Sequence, residues 1–183
     1  MQAAALPALA SAKVEPTLSQ AGVYTRLGLR PLINAMGTMT ILGGSIMPPE
    51  VVRAMEEASK FFIDLPELQK KAGERIAELV GVPAAMITAG AASAITVATE
   101  ACVTRGDHAR YAKLPDTTGM PNEVIQQKSH HSGYEAQMRV VGARIVEVET
   151  REELERAIGE RTAMMFYMNR ADADGRIGRN STT

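Results

Sequence analysis

Hydrophobic residues recur along the chain at spacings that predict helices and short strands. Two amphipathic helices are predicted early, at Glu50–Phe62 and Leu65–Val80. Pro48-Pro49 precedes the first helix and Gly81 follows the second, which is typical of helix starts and ends. We expect each helix to bury one apolar stripe. The stripes are Val51, Met55, Ala58 and Phe62 in the first helix and Leu68, Ala72, Ile76, Leu79 and Val80 in the second.

The second half of the chain alternates short apolar runs with helical patterns. The runs predict strands at Ala85–Thr88, Val124–Gln126, Arg144–Val148 and Thr162–Met168. Helices are predicted at Ala91–Val103, Tyr134–Val141 and Arg151–Ile158. Strands and helices that alternate in this way are typical of an α/β domain with a mainly parallel sheet.

The composition is that of an ordinary globular protein, with 183 residues of which 45% are hydrophobic and 22% charged. A net charge of −1 provides no basic surface for nucleic acid or for an anionic membrane. No apolar run reaches the ~18 residues that suggest a membrane-spanning helix. Cys102 is the only cysteine, which excludes an internal disulfide, and its place on the apolar side of a helix predicts a core position. No metal site is predicted.

Gly90 separates the predicted strand Ala85–Thr88 from the helix that begins at Ala91. The first amides of a helix have no partner within it, and together with the helix dipole they form an anion site. Small side chains at Gly90, Ala91 and Ala92 let a phosphate approach the backbone, and the Ser93 hydroxyl can donate a further hydrogen bond. We call Gly90–Ser93 the phosphate turn. A tight turn that is merely well packed is the alternative, since neither a Walker A nor a Gly-x-Gly-x-x-Gly motif is present.

Residues 1–12 are compatible with either a cytoplasmic or an exported protein. Ala10-Ser11-Ala12 resembles a signal-peptide cleavage site, but no basic residue precedes it. We therefore expect a flexible leader on a cytoplasmic protein, and export is the alternative if residues 1–12 are the end of a signal. Residues 35–49, which are apolar and rich in glycine, are expected to contact a ligand or a second subunit, or to form a buried connector.

Four blocks of the chain, taken in order, resemble one known family. They are LGLRPLINAMGTMTILGGSIMPPEVVRAM, LQKKAGERIAELVGVPAAMITAGAASAI, LPDTTGM and HHSGYEAQMRVVGARIVEVET. They resemble the selenocysteine-synthase-like enzymes that depend on pyridoxal 5'-phosphate (PLP), and most of all the D-glucosaminate-6-phosphate ammonia-lyase branch. The resemblance covers about residues 24–178. It implies the first half of an aspartate-aminotransferase-like (fold type I) large domain, which is a three-layer α/β sandwich with a mainly parallel sheet.

The resemblance also implies a division of the chain and a set of site residues. The predicted parts are a leader at 1–23, an N-terminal arm and active-site loop at 24–48, part of the large domain at 49–170 and a polar tail at 171–183. Gly90, Ala91, Ala92 and Ser93 are expected to hold the cofactor phosphate. His130 or His131, with Tyr134 as a third candidate, is expected to cover the pyridine ring; two solvated histidines are the alternative. Thr38, Asp116 and Thr117 are candidates for substrate contact on loops at the carboxyl ends of strands.

One feature departs from the family pattern. The family binds the cofactor aldehyde through a lysine in a Ser-Gly-Gly-Lys-like block, and its pyridine nitrogen pairs with an aspartate. The chain has six lysines, none of them in such a block: Lys13, Lys60, Lys70, Lys71, Lys113 and Lys128. Lys113 is the only loop candidate, and Asp172 and Asp174 do not follow an apolar strand. We therefore expect the N-terminal portion of an enzyme that is inactive by itself.

The resemblance implies the reaction class of the complete enzyme. It would be an α,β-elimination of the ammonia-lyase or selenium-transferase type on a small amino-acid or amino-sugar-acid substrate, carried out by a homo-oligomer. A tRNA substrate belongs to the transferase branch, and the net charge of −1 does not favour it. The alternative is a non-catalytic or poorly folded fragment that acts only by association.

Overall fold

The computed structural model describes residues 22–168, which belong to two compact units, Met1–Phe62 and Ile63–Thr183. This division falls inside the predicted part 49–170. The predicted boundaries near residues 23, 48 and 170 therefore stay predictions. The polar tail at 171–183, Asp172, Asp174 and the signal-like segment all lie outside the described residues.

The first unit contains two helices and a short turn of 3-10 helix. α1 is Gly22–Arg26, the 3-10 turn is Thr40–Leu42 and α2 is Pro49–Ala58. α2 begins where Pro48-Pro49 predicts, and it ends four residues before the predicted Phe62. No residue from 22 to 62 is buried. The prediction that α2 buries its apolar stripe is thus wrong for this unit, because no element within residues 22–62 covers Val51, Met55 or Phe62.

The second unit contains five α-helices, a turn of 3-10 helix at Lys128–His130 and three strands among its described residues. The helices are α3 (Leu65–Val80), α4 (Ala91–Thr104), α5 (His108–Tyr111), α6 (Glu135–Arg139) and α7 (Arg151–Ala157). The strands are β1 (Glu123–Gln127), β2 (Arg144–Val148) and β3 (Thr162–Phe166). α5 was not predicted. The other elements match predictions within a few residues, except for the predicted strand Ala85–Thr88.

α3 has clear signals at both of its ends. The Asp64 side chain accepts a hydrogen bond from the Glu67 N–H at 2.8 Å, and Gly81 ends the helix with φ +74°. The prediction that its larger apolar residues point inward is wrong: Leu68, Ile76, Leu79 and Val80 are exposed, whereas the small Gly73 and Ala77 are buried. Gly73 is buried because its lack of a side chain lets the Ala85 carbonyl come close to α3.

β1 is the central strand of a parallel sheet with the order β2-β1-β3. The predicted parallel sheet is confirmed. Val124 of β1, Met138 and Ala143 form the buried core, against which Ile95 of α4 and Phe166 of β3 pack. Because all three strands run in one direction, their amino ends share one edge of the sheet and their carboxyl ends share the other.

Residues 85–88 form neither a helix nor a strand and do not pair with any strand among residues 22–168, so the strand prediction there is wrong. The Gln69 side chain donates a hydrogen bond to the Ile87 carbonyl at 2.7 Å instead. Met86 and Ile87 are exposed. A short apolar run becomes a strand only where a neighbouring strand satisfies its backbone.

Candidate functional site

The phosphate turn begins the 14-residue helix α4. Gly90, Ala91, Ala92 and Ser93 are all exposed, and no side chain caps the amides of the first turn. Gly90 has φ +143° and ψ 177°, a conformation that favours glycine, and a Cβ added there would meet no atom within 4 Å. An exposed helix N-terminus with open space in front of it fits a phosphate group.

The N-terminus of α4 lies toward the carboxyl edge of the sheet. Arg105, which ends the helix, lines a cavity of about 770 Å³ together with Asn122, which precedes β1, and Arg161, which precedes β3. The C-terminus of α4 is therefore at the amino edge. A helix of 14 residues is roughly 21 Å long, which carries Gly90 toward the opposite edge, where β1 leads into the two candidate histidines.

His130 follows β1 and is completely buried. Its Nδ1 accepts a hydrogen bond from the Met168 N–H at 3.1 Å. Its ring meets the Tyr167 ring edge to face, with 4.7 Å between the centroids and 78° between the planes. Because Nδ1 is an acceptor here, the proton of the neutral ring is on Nε2. These contacts tie His130 to the residues that follow β3.

His131 is exposed and lies between two carboxylates. Its Nδ1 is 3.3 Å from Oε1 of Glu135, and its Nε2 is 2.6 Å from Oε1 of Glu147 on β2. Glu135 is buried, whereas Glu147 is partly exposed. The alternative of two solvated histidines is therefore wrong for His130, which is buried, and His131 has specific partners.

Glu135 accepts hydrogen bonds from the Gln126 side-chain amide at 2.8 Å and from the Ser132 N–H at 3.0 Å. Burial by itself raises the pKa of Glu135. The hydrogen bonds from Gln126 and from backbone N–H groups outweigh burial, so the pKa of this carboxyl is lowered. Glu135 is thus an ionised group next to His131 at neutral pH.

Asp116 and Thr117 do not lie with these residues. Both line the cavity at the amino edge of the sheet, where Thr117 donates a hydrogen bond to the Gly142 carbonyl at 3.2 Å and accepts one from Asn122 at 2.9 Å. The expectation that they lie at the carboxyl ends of the strands is wrong, because the segment from 114 to 122 leads into β1 rather than out of it. Asp116 uses its carboxylate to accept the Thr118 N–H at 3.0 Å.

The remaining candidates are distributed over both units. Thr38 belongs to the first unit and is exposed. Tyr134 precedes α6, and its N–H donates to the Ser132 hydroxyl at 3.3 Å. Lys128 is 2.9 Å from Glu149, which raises the pKa of the lysine, while Lys113 follows α5 near Asp116. Among residues 22–168, no cluster of three or more His, Cys, Asp or Glu side chains could hold a metal ion.

Sequence reasoning missed Gln126, Glu135 and Glu147. A glutamine within the predicted strand Val124–Gln126 was the available signal, because a polar side chain in a buried strand needs a partner. Nothing in the sequence indicates that this partner is Glu135. Within the described part of the chain, no helix is both long and apolar enough to cross a membrane.

Comparison with known proteins gives a consistent result. The chain is 41% identical over 155 residues to D-glucosaminate-6-phosphate ammonia lyase of Salmonella typhimurium, which covers 80% of this chain and 42% of that enzyme. The chain is a homologue of this lyase. It is also 37% identical over 155 residues to 5'-C-glycyluridine monooxygenase-decarboxylase of a Streptomyces species, over 79% of this chain and 39% of that protein. No protein-family model matches.

A solved structure of D-glucosaminate-6-phosphate ammonia-lyase has a similar fold. The TM-score is 0.76 with 37% sequence identity, over 88% of this chain and 44% of that chain. The predicted resemblance to the ammonia-lyase branch is confirmed, and so is the mixed α/β class. The chain spans less than half the length of these relatives.

Proposed function

We propose that the chain is the part of a PLP-dependent lyase that binds the phosphate and covers the ring of the cofactor. Homology to D-glucosaminate-6-phosphate ammonia lyase supports this proposal. The large domain would be a three-layer sandwich of fold type I. The rest of that domain would correspond to the part of the relatives that this chain does not match. The observation that carries the proposal is the exposed, uncapped N-terminus of α4, with Gly90 at φ +143°.

Different residues of the chain would bind the phosphate and the ring of the cofactor. The amides of Ala91, Ala92 and Ser93 would hold the phosphate, and His130 or His131 would cover the ring. When bound, PLP supplies an electron sink that stabilises negative charge next to the amino group of a substrate. The lysine and aspartate that complete such a site in the family would come from outside this chain.

The substrate would be a small amino acid or amino-sugar acid. Both relatives' names denote an amino-acid group, glucosaminate in one and glycyl in the other. Elimination of the ammonia-lyase type is the proposed reaction, and transfer of selenium to a seryl-tRNA is disfavoured because the net charge is −1. Thr38 is retained as a substrate-contact candidate. A cytoplasmic homo-oligomer is proposed as the working form.

Replacement of Gly90 by valine tests the proposal. The side chain would enter the open space in front of α4, and we expect the affinity for PLP to fall about tenfold or more, since contacts at a helix terminus contribute roughly 0.3–2 kcal/mol each. The affinity is measured by absorbance titration, and circular dichroism checks the fold. Gly119→Val is the matched control, because Gly119 also has a positive φ and open space but lies at the amino edge.

An unchanged PLP affinity in a folded Gly90→Val variant, or an equal loss in Gly119→Val, would contradict the assignment of the phosphate turn. Alanine variants of His130 and His131 then identify the ring-covering residue. The correct replacement is expected to change the absorbance spectrum of bound PLP, and the other is expected to leave it unchanged.

A second candidate function is association without catalysis. The observation that favours it is that residues 22–62 bury none of their apolar side chains, with Ile33, Ile41, Ile46 and Phe62 strongly exposed. A chain of this kind would act by docking to a longer protein and would not need to bind PLP. The PLP titration of the unaltered chain distinguishes the two functions.

A further inference from the structure

Gln126 is a polar residue in the middle of a buried sheet. It lies on β1, two residues after Val124 of the core, and its side chain is fully buried on the same face. Its amide nitrogen donates to Glu135, while its amide oxygen has no hydrogen-bond partner in the part of the chain that the structure describes. A buried acceptor without a partner is destabilising, and an apolar side chain of the same shape would avoid that cost. Stability alone therefore does not explain a glutamine at this position.

The contact that Gln126 does make leads to His131. A single oxygen, Oε1 of Glu135, meets the Gln126 amide, the Ser132 N–H and Nδ1 of His131. Glu147 meets the other ring nitrogen at 2.6 Å. Carboxylate oxygens thus face both nitrogens on the edge of the ring. A ring that is fixed by its edge can present a flat face to a ligand.

We propose that Glu135 is a positioning residue that fixes the imidazole of His131 at the candidate cofactor site, and that Gln126 fixes Glu135 from the central strand. This inference rests on the proposed function. Glu135 itself does not need to touch the cofactor. Its effect passes through His131, which lies on an exposed loop and whose Nδ1 faces the Glu135 carboxylate.

The 183-residue chain with ¹⁵N-labelled histidines provides the test. Ring nitrogen resonances are recorded for the unaltered chain, Glu135→Gln and Gln126→Leu, and His131→Asn assigns the His131 signals. Glu149→Gln is the matched control, because Glu149 follows β2 and pairs with Lys128 rather than with His131. We expect both ring nitrogens of His131 to shift in Glu135→Gln and in Gln126→Leu, but not in the control.

PLP affinity is measured in the same variants. We expect a loss of about three- to tenfold in Glu135→Gln and in Gln126→Leu, as for one lost hydrogen bond, with partial recovery in Glu135→Asp. Gln126→Leu replaces a buried polar side chain by an apolar one of similar size, so circular dichroism and urea unfolding should show an intact fold. That separates positioning from a general loss of structure.

Unchanged His131 resonances in Glu135→Gln and Gln126→Leu would overturn the inference. It would also be overturned if the resonances shift while PLP binds as tightly as before. If the unaltered chain binds no PLP, the proposed function fails, and the His131 resonances still decide whether Glu135 and Gln126 hold the ring.

Discussion

Individual carboxylates connect the strands at both edges of the sheet. At the amino edge, Glu123 of β1 is 2.6 Å from Arg144 of β2 and 2.9 Å from Arg161, which precedes β3. At the carboxyl edge, Glu135 connects Gln126 of β1 to His131. The carboxylate of Glu123 is only 13% exposed, so water screens its two ion pairs less than it screens an exposed pair. At each edge, an acidic residue thus contacts more than one partner.

Glu135 predicts a pH dependence of stability. Its lowered pKa means that the folded state favours the ionised carboxyl, so the contribution to stability is present above the ordinary value of 4.5 and is lost as the pH falls through the folded-state pKa. At pH 7, Glu135→Gln should lower the free energy of unfolding by roughly 1–2 kcal/mol. Urea unfolding at a series of pH values measures it.

The difference between the unaltered chain and Glu135→Gln should shrink below pH 4.5, because the protonated carboxyl resembles the amide. Glu149→Gln serves as the control, since its pair with Lys128 is exposed and contributes little to stability. A difference that stays constant down to the lowest pH would show that the charge of Glu135 does not matter for stability.

At the scale of elements, Gly73 sets how closely α3 meets the segment before α4. A Cβ at this position would collide with the Ala85 carbonyl. On an exposed helix, replacing glycine by alanine stabilises by up to ~1 kcal/mol. Here we expect the opposite sign, with Gly73→Ala lowering the free energy of unfolding by about 1–3 kcal/mol through overpacking. Glu74→Ala, on the exposed side of the same helix, is the control, and a stabilised Gly73→Ala variant would disprove the close contact.

Most elements could be predicted because their signals are local. The proline before α2, Asp64 and Gly81 around α3 and the apolar run of β2 are signals that depend only on neighbouring residues. The strand prediction at Ala85–Thr88 was wrong because a strand requires a partner that the local pattern does not contain. Periodicity predicted that the larger apolar residues of α3 face inward. In the structure these residues are exposed, and it is Gly73 that lies against the Ala85 carbonyl.

The candidate site was predictable to a similar extent. The phosphate turn has a local signature, and the structure gives it an exposed helix N-terminus. Asp116 and Thr117 were placed at the wrong edge because residue types do not reveal whether a loop enters or leaves a strand. The contact between Gln126 and Glu135 joins residues nine apart through a buried hydrogen bond, and no spacing rule of helices or strands predicts it.

At the scale of the whole molecule, we expect no specific lysine adduct with PLP. Lys113 lies on the side of the sheet opposite the phosphate turn, and Lys128 pairs with Glu149, which raises the pKa of its amine and keeps it protonated. A protonated amine is a poor nucleophile. Borohydride reduction in the presence of PLP, followed by peptide mapping, should therefore find only low and scattered labelling of the lysines.

Replacing Lys128 by glutamine removes the charge of this side chain. We expect this Lys128→Gln variant to show the same low labelling at the other lysines. Stoichiometric labelling of one residue, Lys113 or Lys128 above all, would instead mean that the chain carries its own aldehyde-binding lysine. It would then also contradict the expectation that the complete site needs residues from outside this chain.

The strand order β2-β1-β3 affects the order in which the sheet can form during synthesis. The central strand leaves the ribosome first, and its partners follow 21 residues later for β2 and about 39 residues later for β3. Until then both sides of β1 lack their hydrogen-bonding partners, and Val124 lacks the core residues Met138, Ala143 and Phe166, which follow it in the chain. Pairing between distant segments is slow compared with helix formation. The nascent chain thus passes through a period in which its most buried strand is the one most open to aggregation or to capture by a chaperone.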